Sequence, residues 1–135
     1  MEFAIIGGDM RQAKLAELLA ADGHTVSAFA IDKIQLLNGV VQTESAKDAL
    51  LGAECVILPL PVTSREGVLN APLSGSLHTT NEVFSLIQST QTVCAGRMDK
   101  HTAALAGEKG IEVIDYFARE ELAVANACLL YTSSA

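Results

Sequence analysis

The chain opens with a short apolar run, two glycines and the start of a helical pattern. Phe3-Ala4-Ile5-Ile6 predicts a buried strand, Gly7-Gly8 predicts a tight turn, and the polar residues from Asp9 onwards predict the start of a helix. This strand–turn–helix order is typical of α/β domains. The first N–H groups of a helix have no partner within the helix and attract anions, so this turn is a candidate anion-binding site.

Four more apolar runs follow, separated by helical or polar segments. The five predicted strands are Phe3–Ile6, His24–Ile31, Glu54–Leu58, Thr92–Ala95 and Ile111–Ile114. Their alternation with helices predicts an α/β fold of three αβα layers around a five-stranded parallel sheet in the order 2-1-3-4-5. This is a Rossmann-like or flavodoxin-like architecture. Residues 62–78 are rich in Ser, Gly, Pro and Thr and predict one long loop.

Ligands of such sheets bind beyond the carboxyl ends of the strands, where this chain concentrates its unusual residues. Those positions are Gly7–Gln12, Asp32, Pro59–Thr63, Gly96-Arg97 and Asp115–Arg119. Arg11, in the first turn of the first helix, is suited to a two-pronged grip on a carboxylate or phosphate. Asp9 has a second interpretation as the N-cap of that helix.

Charge and hydropathy exclude several classes of function. The formal net charge of −7 argues against nucleic acid as the main partner, because phosphate backbones bind basic surfaces. No apolar run approaches the ~18 residues of a membrane span, and the amino terminus has no basic start, so we expect a cytoplasmic protein. Neither metal-ligand spacing nor a Ser–His–Asp arrangement is visible, and no metal site is predicted.

The glycine turn only partly fits a dinucleotide-binding fingerprint. Counted from Gly7, the second and third glycines of that fingerprint are replaced by Asp9 and Gln12. Asp32 nevertheless lies where an acid that binds ribose is found in such domains. The residues alone therefore leave open a nucleotide-binding Rossmann domain, and equally a free-standing flavodoxin-like module that binds a small molecule or regulates a partner.

Four segments in sequence order resemble one known family. They are Ile6–Gln12, Leu58–Thr63, Asn70–Leu73 and Asp115–Ala127. Together they resemble the N-terminal domain of the dipicolinate synthase A subunit over about residues 2–127. The resemblance implies a substrate-side domain over residues 1–127, followed by a divergent or truncated tail over residues 128–135.

The resemblance also implies a function. The family is a two-domain oxidoreductase that makes dipicolinate during sporulation, in the cytoplasm of the mother cell, from a cyclic dicarboxylate of the lysine pathway. Its second domain carries NAD(P), and its partner is the B subunit of the synthase. A homo-oligomer is also compatible with the sequence.

Candidate site residues follow from the sheet edge and the resemblance together. Substrate-binding residues are predicted to be Gly8, Arg11, Gln12, Pro61, Thr63, Gly96 and Arg119. Proton transfer is assigned to Asp9 or Glu120. No cofactor-binding residue is predicted within this chain.

Overall fold

The computed structural model describes residues 1–59, 61–65, 67–95, 100–111 and 113–115. This part of the chain forms eight strands and four helices. The strands are β1 (Glu2–Ile6), β2 (Thr25–Phe29), β3 (Val41–Thr43), β4 (Cys55–Ile57), β5 (Thr63–Arg65), β6 (Val68–Leu69), β7 (Thr92–Ala95) and β8 (Val113–Asp115). The helices are α1 (Met10–Ala21), α2 (Ala46–Leu50), α3 (Thr80–Leu86) and α4 (Lys100–Lys109).

A parallel sheet of six strands forms the centre, in the order β3-β2-β1-β4-β7-β8. The five strands predicted from the sequence have the predicted order within it, and the α/β fold class is confirmed. The predicted strand count is corrected from five to six by β3, which pairs with the outer edge of β2. β3 has only three residues, too few to show a clear hydrophobic alternation.

The strand residues point alternately to two cores, which makes the domain three-layered. Phe3 and Ile5 pack with apolar residues of α1 on one face of the sheet. Ala4 and Ile6 pack with apolar residues of α2, α3 and α4 on the other face. Burying one Leu or Ile side chain in these cores stabilises the fold by about 1.5–3 kcal/mol.

Short polar side chains define where three of the helices begin. Asp9 is the N-cap of α1 and accepts a hydrogen bond from the Arg11 amide. Ser45 and Thr79 cap α2 and α3, accepting from main-chain amides at 3.1 and 3.2 Å respectively. Each such cap contributes about 1 kcal/mol and fixes the direction in which the chain enters the helix.

The predicted long loop after β4 is partly ordered into a small hairpin. β5 and β6 pair antiparallel within it, and Val68 forms a further bridge with Thr79. The expectation of a structureless loop is therefore corrected. Strands of only two or three residues are too short to show an alternating pattern in the sequence. None of the described helices is both long and apolar enough to cross a membrane.

Candidate functional site

The glycine turn lies at the carboxyl end of β1, at the centre of the sheet edge. Gly7 and Gly8 have φ angles of +64° and +96°, a backbone conformation that favours glycine. The main-chain N–H groups of both glycines donate hydrogen bonds to main-chain oxygens of this chain. Gly7 N donates to Phe29 O at 2.8 Å, and Gly8 N donates to Asn70 O at 2.8 Å.

The same turn is enclosed by neighbouring atoms on two sides. A Cβ added to Gly7 would lie 2.9 Å from the main-chain oxygen of Asn70. A Cβ added to Gly8 would lie 2.0 Å from Cγ of Gln12. In a dinucleotide-binding turn, the glycines leave room for the ligand and the amides point towards it. In this chain, Asn70 O accepts the Gly8 N–H that would face such a ligand, and the Gln12 side chain fills the space beside Gly8.

Asp9 and Arg11 form an exposed ion pair beside the turn. Nη2 of Arg11 lies 3.3 Å from Oδ2 of Asp9, and Nε of Arg11 lies 3.3 Å from both carboxylate oxygens. The side chains are 56% and 46% exposed for Arg11 and Asp9. An exposed pair of this kind contributes only about 0.2–1 kcal/mol, so an anionic ligand can compete for the guanidinium.

The ion pair also sets the charge state of Asp9. Partial burial raises the pKa of Asp9, but hydrogen bonds and charge from Arg11 lower it more, so the pKa lies below 3.8. Asp9 is therefore an ionised N-cap at neutral pH. A carboxylate with a lowered pKa is a weak proton acceptor. The predicted role of Asp9 in proton transfer stays a prediction.

The other predicted substrate-binding residues in the described part of the chain occupy different positions at this edge. Gln12 is 6% exposed, and its amide nitrogen donates to Ile57 O at 3.4 Å. Pro61 is exposed, and its carbonyl oxygen accepts from Asn70 Nδ2 at 3.0 Å. Thr63 is half-buried and begins β5. The predicted residues Gly96, Arg119 and Glu120 lie outside the described residues.

Asn70 connects the glycine turn to the proline segment, although it was not among the predicted site residues. Its main-chain oxygen accepts from Gly8 N, and its own N–H donates to Val62 O at 2.9 Å. Its side chain donates to Pro61 O. A sequence signal was present, because Asn70 begins the Asn-Ala-Pro-Leu segment that contributes to the family resemblance.

Asp32 holds a second part of the same loop at the sheet edge. Oδ1 of Asp32 accepts from Gly75 N at 2.7 Å, and Oδ2 lies 3.3 Å from Oγ of Ser74. The main-chain amides of Asp32 and Lys33 both donate to Leu73 O. The carboxylate that would contact a ribose in a nucleotide-binding domain is thus bonded to the loop of this chain.

Ser74 extends this contact to a histidine. Oγ of Ser74 lies 3.1 Å from Nε2 of His78 and accepts a hydrogen bond from Ser76 N. Because the single hydroxyl hydrogen of Ser74 is directed to Asp32, Nε2 of His78 is the donor in the other contact. The order is therefore carboxylate, hydroxyl, imidazole, which ties down a loop and does not activate a serine nucleophile.

Cavities lie at the carboxyl ends and at the amino ends of the strands. One of about 480 Å³ opens beside Asp32 and is lined by residues 31–35 and 42–44. Another of about 340 Å³ lies between α2 and α3, near the amino ends of β4 and β7. Within the described ranges, no cluster of three or more His, Cys, Asp or Glu side chains is arranged to hold a metal ion.

Comparison with known sequences decides the family. Residues 2–117 match the sequence model of the N-terminal domain of the dipicolinate synthase A subunit. The chain belongs to this family. This confirms the resemblance inferred from the four segments. No curated protein sequence matches the chain significantly.

Solved structures of this family have the same fold. The dipicolinate synthase A subunit from Bacillus subtilis matches with a TM-score of 0.73 and 18% identity, over 99% of this chain and 46% of that one. Its counterpart from Bacillus halodurans matches with a TM-score of 0.70 and 16% identity, over 84% of this chain and 39% of that one. The chain thus spans less than half the length of these relatives.

A more distant match extends the similarity to dehydrogenases. A putative formate dehydrogenase from Pyrobaculum aerophilum matches with a TM-score of 0.51 and 17% identity, over 93% of this chain and 40% of that one. At such identities, these structural matches show the fold alone. They show that the chain has a Rossmann-like α/β fold.

Proposed function

We propose that this chain is the substrate-side domain of a dipicolinate-forming oxidoreductase and binds a small cyclic dicarboxylate at the carboxyl edge of its sheet. Membership of the dipicolinate synthase family supports the reaction class. One observation supports a ligand other than a dinucleotide. The Gly8 N–H, which would bind a pyrophosphate, donates a hydrogen bond to Asn70 O at 2.8 Å. The proposed domain covers residues 1–127, and residues 128–135 are the divergent tail.

Arg11 provides the main charge for this ligand. It turns from Asp9 towards a ligand carboxylate, exchanging one exposed ion pair for another. A charge-assisted contact that the ligand shields from water contributes about 1.5–3 kcal/mol, less the about 0.2–1 kcal/mol of the exposed Asp9 pair that it replaces. Gly8 shapes the turn, and the Pro61–Thr63 segment supplies a wall beside it. Gly96 and Arg119 are proposed as further contacts, and Glu120 as the proton-transfer residue beside Asp9.

The cofactor is proposed to bind elsewhere in the full-length protein. The residues of this chain do not fit a dinucleotide, because the glycine turn is covered by Asn70 and Asp32 is bonded to Ser74 and Gly75. We propose that NAD(P) binds a second domain and accepts the hydride there. This chain then contributes substrate binding and orientation. The B subunit of the synthase is the proposed partner, a homo-oligomer is the proposed assembly, and the mother-cell cytoplasm is the proposed location during sporulation.

A thermal-unfolding series tests the ligand. The 135-residue chain is heated with dipicolinate, with a tetrahydropyridine dicarboxylate, and with NADP. A ligand at 100 times its Kd stabilises the native state by about 2.7 kcal/mol, which raises the melting temperature measurably. The dicarboxylates should stabilise the chain, and NADP should not. Stabilisation by NADP alone would replace the proposal with the nucleotide-binding alternative.

A pair of variants tests the role of Arg11. Arg11→Ala should weaken dipicolinate binding about tenfold or more, as expected for the loss of one charge-assisted contact. Lys14→Ala is the control, since Lys14 is an exposed cation one turn further along the same helix. The affinity of the Lys14→Ala variant for dipicolinate should stay close to that of the wild type. Equal weakening by both substitutions would show a general effect of charge and remove Arg11 from the site.

A further inference from the structure

Asn70 makes three hydrogen bonds that reach two separate segments at the carboxyl edge of the sheet. Its carbonyl oxygen accepts from Gly8 N at 2.8 Å, and its N–H donates to Val62 O at 2.9 Å. Its side-chain nitrogen donates to Pro61 O at 3.0 Å. The turn after β1 and the segment after β4 are therefore bonded to the same residue.

Only the side-chain contact depends on the identity of this residue. Any amino acid offers the main-chain N–H and carbonyl, whereas the bond to Pro61 needs a side-chain donor of this length. The backbone at Pro61 has no amide hydrogen of its own, so its carbonyl is the polar group by which this position can be fixed. Asn70 thus supplies the sequence-specific part of the connection.

Gly7, which faces Asn70 across this contact, leaves the space that the contact needs. Gly7 has no Cβ, and one placed there would lie 2.9 Å from Asn70 O and 3.3 Å from Cδ2 of Leu69. The close approach therefore requires glycine on one side, while Asn70 is held from the other side by Pro61 and Val62. Leu69, the residue before Asn70, is buried at 3% exposure and anchors this part of the loop.

We infer that Asn70 is a positioning residue, which locks the glycine turn closed and fixes the proline segment relative to the first turn of α1. The inference rests on the proposed function in one respect, namely that the ligand placed between these segments is a dicarboxylate. Asn70 acts through Gly8 and Pro61. Loss of its side-chain amide should loosen both segments while the fold remains intact.

A matched pair of variants tests this lock. Asn70→Ala removes the bond to Pro61 O. Asn38→Gly removes an equivalent bond, because Asn38 Nδ2 donates to Glu17 O at 3.0 Å. Glycine suits position 38, where φ is +63°. Neither substitution adds charge. Each variant is examined by thermal unfolding, by hydrogen exchange of the Gly8 amide, and by titration with dipicolinate.

Asn70→Ala should speed exchange of the Gly8 amide and weaken dipicolinate binding, each by about five- to tenfold, the size expected for one hydrogen bond. Asn38→Gly should lower the melting temperature by a similar amount, but it should change neither the exchange rate of the Gly8 amide nor the affinity for dipicolinate. Unchanged Gly8 exchange in Asn70→Ala, or an equal increase in both variants, would overturn the inference. If wild type does not bind dipicolinate and Gly8 exchange still rises only in Asn70→Ala, the lock stands and the proposed function fails.

Discussion

Replacement of Gly8 by alanine tests how tightly the first turn is enclosed. The new Cβ would lie 2.0 Å from Cγ and 2.6 Å from Cβ of Gln12, so the Gln12 side chain must rotate and the backbone that carries its Cβ must shift. Three contributions follow. A positive φ with a Cβ costs about 1–2 kcal/mol. Overpacking costs about 1–3 kcal/mol. Loss of the buried bond from Gln12 to Ile57 O costs about 0.5–1.5 kcal/mol.

The free energy of unfolding should therefore fall by about 2.5–6.5 kcal/mol in Gly8→Ala, measured by urea denaturation. Gly23→Ala is the control, because Gly23 has a φ of +93° and no heavy atom within 4 Å of an added Cβ. Gly23→Ala should lower the free energy of unfolding by the backbone contribution alone, about 1–2 kcal/mol.

A double-mutant cycle separates the clash from the backbone strain. In a Gln12→Gly background, both clashing atoms, Cβ and Cγ of residue 12, are absent, and Gly8→Ala should cost about 2 kcal/mol less than in wild type. An enclosed turn is refuted if Gly8→Ala costs no more than Gly23→Ala, or if Gln12→Gly leaves the cost of Gly8→Ala unchanged.

Two further predictions concern charged groups at the sheet edge. The pKa of Asp9 lies below 3.8 because of Arg11, so its carboxylate stabilises the fold above the unfolded-state pKa, and this contribution is lost as pH falls through the folded pKa. In an NMR titration, Arg11→Ala should raise the pKa of Asp9, and an unchanged value would contradict the pairing. Asp32→Ala removes the bonds to Gly75 N and Ser74 Oγ, which should lower the free energy of unfolding by about 1–3 kcal/mol. Asp32→Ala should also speed proteolytic cleavage of the loop near Ser74. Cleavage of this variant at the wild-type rate would show that Asp32 does not hold the loop.

The sequence predicts the sheet well because strands and helices leave local patterns. Runs such as Cys55–Ile57 are apolar at every position, and Ser45 and Thr79 precede their helices as recognisable caps. The central strand order follows from short connections and right-handed crossovers. β3 and the β5–β6 hairpin are too short for such patterns, so neither was counted among the predicted strands.

The enclosure of the site could not be read from the sequence, because its contacts join distant segments. Gly8 meets Asn70 only after the loop folds back across the sheet edge, and Asp32 meets Gly75 in the same way. Gln12 in place of a fingerprint glycine argued against a dinucleotide, although the residues alone left a nucleotide-binding domain open. It did not predict that the Gln12 side chain itself would fill the space beside Gly8.

An assigned amide NMR titration of the 135-residue chain tests the central claim most directly. Dipicolinate is added first, and NADP is added to a separate sample. We predict that dipicolinate shifts the amide signals of Asp9, Arg11, Val62 and Thr63, while NADP leaves the Gly7, Gly8 and Asp32 signals in place. NADP-dependent shifts centred on Gly7, Gly8 and Asp32, with no response to dipicolinate, would contradict it.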